Sequence, residues 1–273
     1  MKQGRGYRLV LVAGIVAVCL WSLFPFYGLI VTSISPRGEL PTALFELPAH
    51  PTGVFWYEVL VKDPLWFHMR NSVLIGLLAT SISMLAAVPA AYSISRFKLR
   101  GKETIYLAFL VFHMAPWISL VFPLFLLIRN LGLLDTQFGL AMSYLPWNIA
   151  LAVWLMRGFL DVIPQQAEEA ARVDGASPIQ TMFRIVLPQV LPGLAVCSMF
   201  IFNTNIIEYI FALTLTNVDA VTLPLKLSGY VTEHIVKWQL VSAAGLVSMI
   251  PTVTVYLLVR KYLVYGLSFG MIK

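Results

Sequence analysis

The chain has 273 residues, of which 59% are hydrophobic and only 12% charged, and it carries a net charge of +6 at neutral pH, with a mean hydropathy of +0.82. Soluble domains hold roughly 45–50% apolar and about 25% charged residues, so the composition excludes an ordinary water-soluble enzyme and indicates an integral membrane protein. The basic residues lie between long apolar runs, a topology signal and not a nucleic-acid-binding surface, so no nucleic-acid partner is expected.

Six windows reach the roughly 20 residues needed to cross a hydrocarbon core about 30 Å thick. They are Leu9–Thr32, Ser72–Ile94, Ile105–Ile128, Phe138–Phe159, Val190–Leu215 and Leu240–Val259. The fold class expected is therefore an all-α integral membrane protein with six transmembrane helices, forming a single domain over 1–273. With a cytoplasmic N-terminus, thirteen of the nineteen Lys and Arg residues fall on the inside, so both termini are expected in the cytoplasm of a multi-pass plasma (inner) membrane protein.

In chain order, Lys2, Arg5 and Arg8 precede the first window. That window exceeds the roughly 7–15-residue core of a signal peptide, and no small-residue cleavage site follows, so it is predicted to be a span. The segment 33–71 is the longest predicted external loop, interrupted by Pro36, Pro41, Pro48, Pro51 and Pro64. Its aromatics Phe55, Trp56, Tyr57, Trp66 and Phe67 are expected at the lipid headgroups. After the second span comes a short basic loop. A phosphate-binding loop there would need Gly at position 96 and Ser or Thr at 103, where the chain has Arg96 and Glu103. No nucleotide-binding motif is present, so any ATP must be used by another subunit.

The third span carries His113, Pro116 and Pro123, and its prolines predict kinks. His113 has two readings: a neutral side chain bonded to a neighbouring helix, or a contact along a solute pathway. The fifth span is the most polar, with Asn203, Thr204, Asn205 and Glu208. A carboxylate in hydrocarbon costs several kcal/mol unless it meets water or a partner, so Glu208 is expected to point into the bundle on the face of Asn205 and Ala212. An interhelical hydrogen-bond network and the lining of a translocation cavity both account for it. Cys19 and Cys197 lie within spans and build no disulfide framework. No catalytic constellation or metal-ligand cluster stands out.

Between the fourth and fifth spans lies the one long polar interruption, 164–188. Pro164 suits a first helical turn. Gln165 to Val173 is rich in helix formers, with Glu168 and Glu169 early and Arg172 late, as the helix dipole prefers. Asp174-Gly175 stops this helix, and Ser177-Pro178 starts a second, limited by Pro188. In the second helix Ile179, Met182, Phe183 and Val186 are predicted to form one apolar stripe. From local chemistry alone this helical hairpin is either an amphipathic connector on lipid or a docking element.

The spelling Glu169-Ala170-Ala171, three residues, Gly175, nine residues, Ile185-Val186-Leu187-Pro188 resembles the EAA motif of ABC importer permeases. The turn Gly132-Leu133-Leu134-Asp135-Thr136 and the tail Gly266-Leu267-Ser268-Phe269-Gly270-Met271-Ile272-Lys273 resemble further family signatures. The resemblance runs most strongly from Asn71 to Lys273, towards the maltose-transporter-like, carbohydrate-importing branch. It implies the type I ABC importer permease fold, with Glu168, Glu169, Ala170, Ala171, Asp174 and Gly175 in a cytoplasmic coupling loop. It also implies a second homologous permease, two ATP-binding subunits that hold ATP and Mg, and an extracytoplasmic solute-binding protein. Glu168, Glu169 and Arg172 would then pair with charges on the ATPase, and the tail would reach the ATPase dimer in the manner of some members. The solutes implied are sugars or related polyhydroxy compounds. The family's Trp-Asn before the intramembrane acid is replaced by Ile206-Ile207, which brings polyols and glycerol phosphates close behind. An ion-coupled secondary transporter using Glu208 and His113 is the reading from a different class, though its relay of ionisable groups would be sparse. A membrane scaffold whose hairpin merely recruits a partner is a third.

Overall fold

The computed structural model describes residues 5–40, 46–231 and 236–269. Pro41, Lys2 and the tail residues from Gly270 to Lys273 lie outside the described residues. The chain divides into two units, one comprising 1–67 and 226–250, the other 68–225 and 251–273.

In the first unit, α1 (Arg5–Ile34) is a single helix through Pro25. Described residues of the connection after it are tied by side chains. Trp56 Nε1 donates to Ser33 Oγ at 3.1 Å, and Gln239 Nε2 donates to the carbonyls of Pro36 and Glu39 at 2.9 and 3.1 Å. Lys226 Nζ lies 2.7 Å from Asp63, which also accepts from the Tyr230 hydroxyl at 3.1 Å. Burial and the neighbouring Asp63 carboxylate push the Tyr230 hydroxyl well above the ordinary tyrosine range. Of the aromatics expected at the headgroups, Phe55 on α2 (Val54–Tyr57) is instead buried in the protein, whereas Tyr57 and Trp66 are exposed.

Helix α3 (Leu65–Arg96) starts seven residues before the predicted Ser72, because Pro64 supplies a helix start and the polar run His68 to Asn71 continues the helix. It passes through Pro89 unbroken. The third predicted span is two pieces. Helix α4 (Lys102–Met114) and a segment of a 3₁₀ turn (Trp117–Leu120) plus α5 (Val121–Asn130) meet at 90°. Pro116 lacks the amide needed to continue α4, which fixes the place of the break. Helix α6 (Gln137–Asp161) is continuous and begins at Thr136, whose hydroxyl accepts from the Gly139 amide.

After the polar hairpin, α10 (Leu191–Ile206) is followed by a break and then α11 (Ile210–Leu215), so the fifth predicted span is not one helix. A short α12 (Leu223–Ser228) leads to α13 (Trp238–Phe269). Among the described residues, four helices are long and apolar enough to cross a membrane, or up to six if each bent pair is one span.

The second unit is built around α6. One half packs Tyr144 and Trp147 against Ile75 and Ala79 of α3 and Phe211 of α11; the other packs Val153, Met156 and Leu160 against α3 and α10. In lipid the helices gain nothing from hiding apolar surface from water, so association rests on close packing and hydrogen bonds. Alanines at 79, 87, 91, 141 and 152, all fully buried, allow that approach. At the start of α10 a Cβ added to Gly193 would run into the Phe159 ring, so only glycine lets that ring lie so close to the backbone. Between the two apolar halves lies a polar layer. Asn148 Nδ2 donates to Asn205 Oδ1 at 2.9 Å, and Asn205 Nδ2 donates to Thr80 Oγ1 at 3.4 Å.

Candidate functional site

The polar hairpin begins at α7 (Gln166–Val173), two residues beyond Pro164. Its end is a double closure. The Gly175 amide donates to the Arg172 carbonyl at 3.1 Å and the Ala176 amide to the Ala171 carbonyl at 2.9 Å. This requires the residue after the cap to be left-handed, and Gly175 has φ +85°. Ser177 then caps α8 (Pro178–Thr181) through a capping box. Its hydroxyl accepts from the Gln180 amide at 3.3 Å while Gln180 Oε1 accepts from the Ser177 amide at 2.9 Å.

The helix does not stop at Pro188. It continues through a π-helical turn, Met182–Val186, into α9 (Leu187–Gln189), and the chain bends 81° before α10. The predicted stripe is split between two sides of the helix. Met182 and Val186 are buried in the core, whereas Ile179 and Phe183 are exposed.

The two adjacent glutamates also part. Glu169 faces outward with Ala170, Arg172, Val173, Asp174 and Gly175, giving one exposed surface on the hairpin. Glu168 and Ala171 face inward, and Glu168 is fully buried. Glu168 Oε1 accepts from Arg96 Nε at 2.6 Å and Oε2 from the Tyr92 hydroxyl at 3.0 Å. The expectation that Glu168 meets a partner's charge is thereby corrected, since its charge is already neutralised inside the chain. Removing one member of such a buried pair costs about 3–5 kcal/mol, because the other is left uncompensated. Arg96, noted in the sequence only as a departure from a phosphate loop, and Tyr92 are the partners that sequence reasoning missed. A basic residue closing a span was the available signal.

The intramembrane candidates separate in the same way. Glu208 is 8% exposed, and both its oxygens are occupied. Oε1 accepts from the Phe211 amide at 2.9 Å, and Oε2 accepts from the Tyr144 hydroxyl at 2.9 Å and the Ala212 amide at 3.3 Å. It thus caps α11 across the break after Ile206, where the helix supplies no carbonyls for those amides. Asn205 belongs to the polar layer, and Asn203 is half-buried a short way before it. His113 sits in the last turn of α4, where its Nδ1 is buried and has no hydrogen-bond partner among the described residues. A mainly apolar cavity of about 550 Å³ lies against Leu85, Val88, Phe183, Leu194 and Val255. None of His113, Asn203, Asn205 and Glu208 lines it. Among the described residues no group of three or more His, Cys, Asp or Glu side chains is placed to hold a metal ion.

A third cluster went unnoticed in the sequence. Asp135, in the connection between α5 and α6, has φ +55°, which aspartate tolerates better than most residues. Its carboxylate accepts from the amides of Asn217, Val218, Asp219 and Ala220 at 2.9–3.2 Å. Burial by itself would raise this carboxyl, but the four amides outweigh it and hold it below the ordinary aspartate range. A depressed folded value stabilises the fold at pH above the unfolded value of about 3.9, and the contribution disappears as pH falls through the folded value. Asp135→Asn is therefore expected to lower the melting temperature in detergent at pH 7. The gap from the native chain should close as the pH drops below about 4. A gap that stays constant with pH would contradict this.

Residues 72–268 match the family described as the binding-protein-dependent transport system inner membrane component. The chain is 34% identical over 279 residues to the trehalose/maltose transport system permease protein MalG of Thermococcus litoralis, covering 100% of this chain and 99% of that one. It is 32% identical to the trehalose transport system permease protein SugB of Mycobacterium tuberculosis, covering 93% of each. Among solved structures it is similar to a chain of a bacterial ABC transporter involved in the import of the acidic polysaccharide alginate. There the TM-score is 0.72 and the identity 26%, over 96% of this chain and 99% of that chain.

Proposed function

This chain belongs to the binding-protein-dependent transport system inner membrane components, the permeases of ABC importers, and from that premise we propose that it is one of two membrane subunits of an ATP-driven importer for sugars or related polyhydroxy solutes. Its role is that of a multi-pass transport subunit, with ATP and Mg held by two partner ATPases and solute delivered by an extracytoplasmic binding protein. The observation that carries the reading is the two-faced hairpin. Its inner face is fixed to the membrane helices through Glu168, Ala171, Met182 and Val186. Its outer face, with Glu169, Ala170, Arg172, Val173, Ile179 and Phe183, is left exposed for an ATPase. With both termini cytoplasmic, as the basic residues favour, that face lies on the side where ATP is. Closure of the ATPases moves the hairpin, and the attached helices open a cavity outward.

The substrate class follows relatives named for trehalose, maltose and alginate transport. Ile206-Ile207 in place of Trp-Asn keeps polyols and glycerol phosphates within the range. An ion-coupled mechanism through Glu208 is less well supported, since both its oxygens are engaged in capping α11 and binding Tyr144. The test is ATP hydrolysis by the purified complex in lipid, with candidate solutes and their binding protein added singly. Stimulation by one saccharide is expected. Failure of any ATPase to copurify would overturn the assignment.

A further inference from the structure

Arg96 uses every nitrogen of its guanidinium. Besides Nε on Glu168, Nη1 donates to Ser95 Oγ at 3.0 Å, and Nη2 donates to the carbonyls of Leu160 and Ile163 at 2.9 and 3.2 Å. Those carbonyls belong to the end of α6 and the chain just beyond it, so one side chain from α3 grips the last turn of α6 and the first turn of α7. The side chains of Arg96 and Glu168 are 2% and 1% exposed. From there the polar chain continues. The Ser95 hydroxyl donates to Asp161, Arg157 Nε donates to the same carboxylate at 3.2 Å, and the two Nη atoms of Arg157 grip Glu103 of α4 at 2.9 and 2.7 Å. Arg157 also stacks over the Tyr106 ring at 4.1 Å. The outer members are partly solvated and screened, so the buried Arg96–Glu168 junction holds most of the rigidity.

We infer that Arg96 is a positioning residue that locks the hairpin to α3 and α6, so that α7 and these two membrane helices, with α4 attached through Arg157, move as one body. The inference rests on the reading of the hairpin as the ATPase-coupling element. It assigns to Arg96 the step by which a push on the hairpin becomes a displacement of membrane helices. A planar fork suits the role, and a lysine fills it only in part, pairing with Glu168 without the fixed geometry that also holds the two carbonyls.

The test uses the assembled transporter in lipid vesicles, reading solute carried per ATP hydrolysed. Arg96→Gln is expected to lower that ratio about tenfold while the ATPases still copurify, with Arg96→Lys intermediate. An unchanged ratio in Arg96→Gln, in an assay where Gly175→Pro does lower it, overturns the inference and leaves the coupling reading standing. Unchanged ratios in both variants remove the coupling reading and the inference together. If Arg96→Gln does not accumulate as folded protein, a distance measurement on the otherwise native chain decides. Spin labels at Ala167 of α7 and Leu85 of α3, both exposed and neither on the face assigned to the ATPase, are expected to keep the same separation with and without trapped nucleotide. A change in that separation overturns the inference.

Discussion

Gly175→Pro is expected to abolish solute uptake by the assembled transporter, by about a hundredfold or more, while the membrane helices remain inserted and folded. Proline fixes φ near −65°, and the native value is +85°. The substitution also removes the amide that donates to Arg172, and with the turn lost the Ala176 amide leaves Ala171. The two hairpin helices then set off in different directions, and the exposed face formed by Glu169, Val173 and Ile179 no longer exists as one surface. Gly175→Ala separates the contributions. No atom lies within 4 Å of the added Cβ, so its penalty is conformational alone, about 1–2 kcal/mol, and uptake should fall only partly. Vesicle uptake with a parallel check on membrane extraction and folding measures both. Full transport in Gly175→Pro would contradict the role given to the hairpin.

Glu208→Ala is expected to act through folding. Truncation orphans the Tyr144 hydroxyl, which is 0% exposed, and the amides of Phe211 and Ala212. At about 1–3 kcal/mol for each buried group left unpaired, the loss is large against the stability of a single domain. Little monodisperse protein should be recovered in detergent. Glu208→Gln, which keeps an acceptor for the amides and a polar partner for Tyr144, should restore most of it. Folded Glu208→Ala protein with altered solute selectivity would instead place the carboxylate on the transport path. The sequence left these two roles open, and the geometry favours the first.

Much of this arrangement was legible before any coordinates, and the misses share a cause. The spans were found because membrane thickness imposes a length that composition reveals. The hairpin was found because Asp-Gly and Ser-Pro are local signals, acting over a turn or less. Neither the split between Glu168 and Glu169 nor that between Met182 and Ile179 is local. Adjacent helix positions differ by about 100° in direction, and which glutamate turns inward depends on Arg96, 72 residues earlier. The π-helical turn at Met182–Val186 leaves no recognisable residue signature. Pro116 announced a kink, but not one of 90°. The break after Ile206 has no proline or glycine to announce it, since it is held by Glu208 bonding forward to the next helix.

The Asp135 cluster sets an order of events during synthesis. The four amides that bind its carboxylate lie 82 to 85 residues further along the chain. At about 5–20 residues per second a ribosome needs on the order of 10 s to deliver them. During that interval the left-handed turn between α5 and α6 waits, solvated, for a segment not yet made. Its carbonyl partner at Leu215 is equally absent, since the Asp135 amide finds it only after α11 exists. Closure of this turn is therefore gated by the arrival of Asn217 to Ala220, and a nascent chain that stops before them holds α5 and α6 but not the clasp that ties the turn between them.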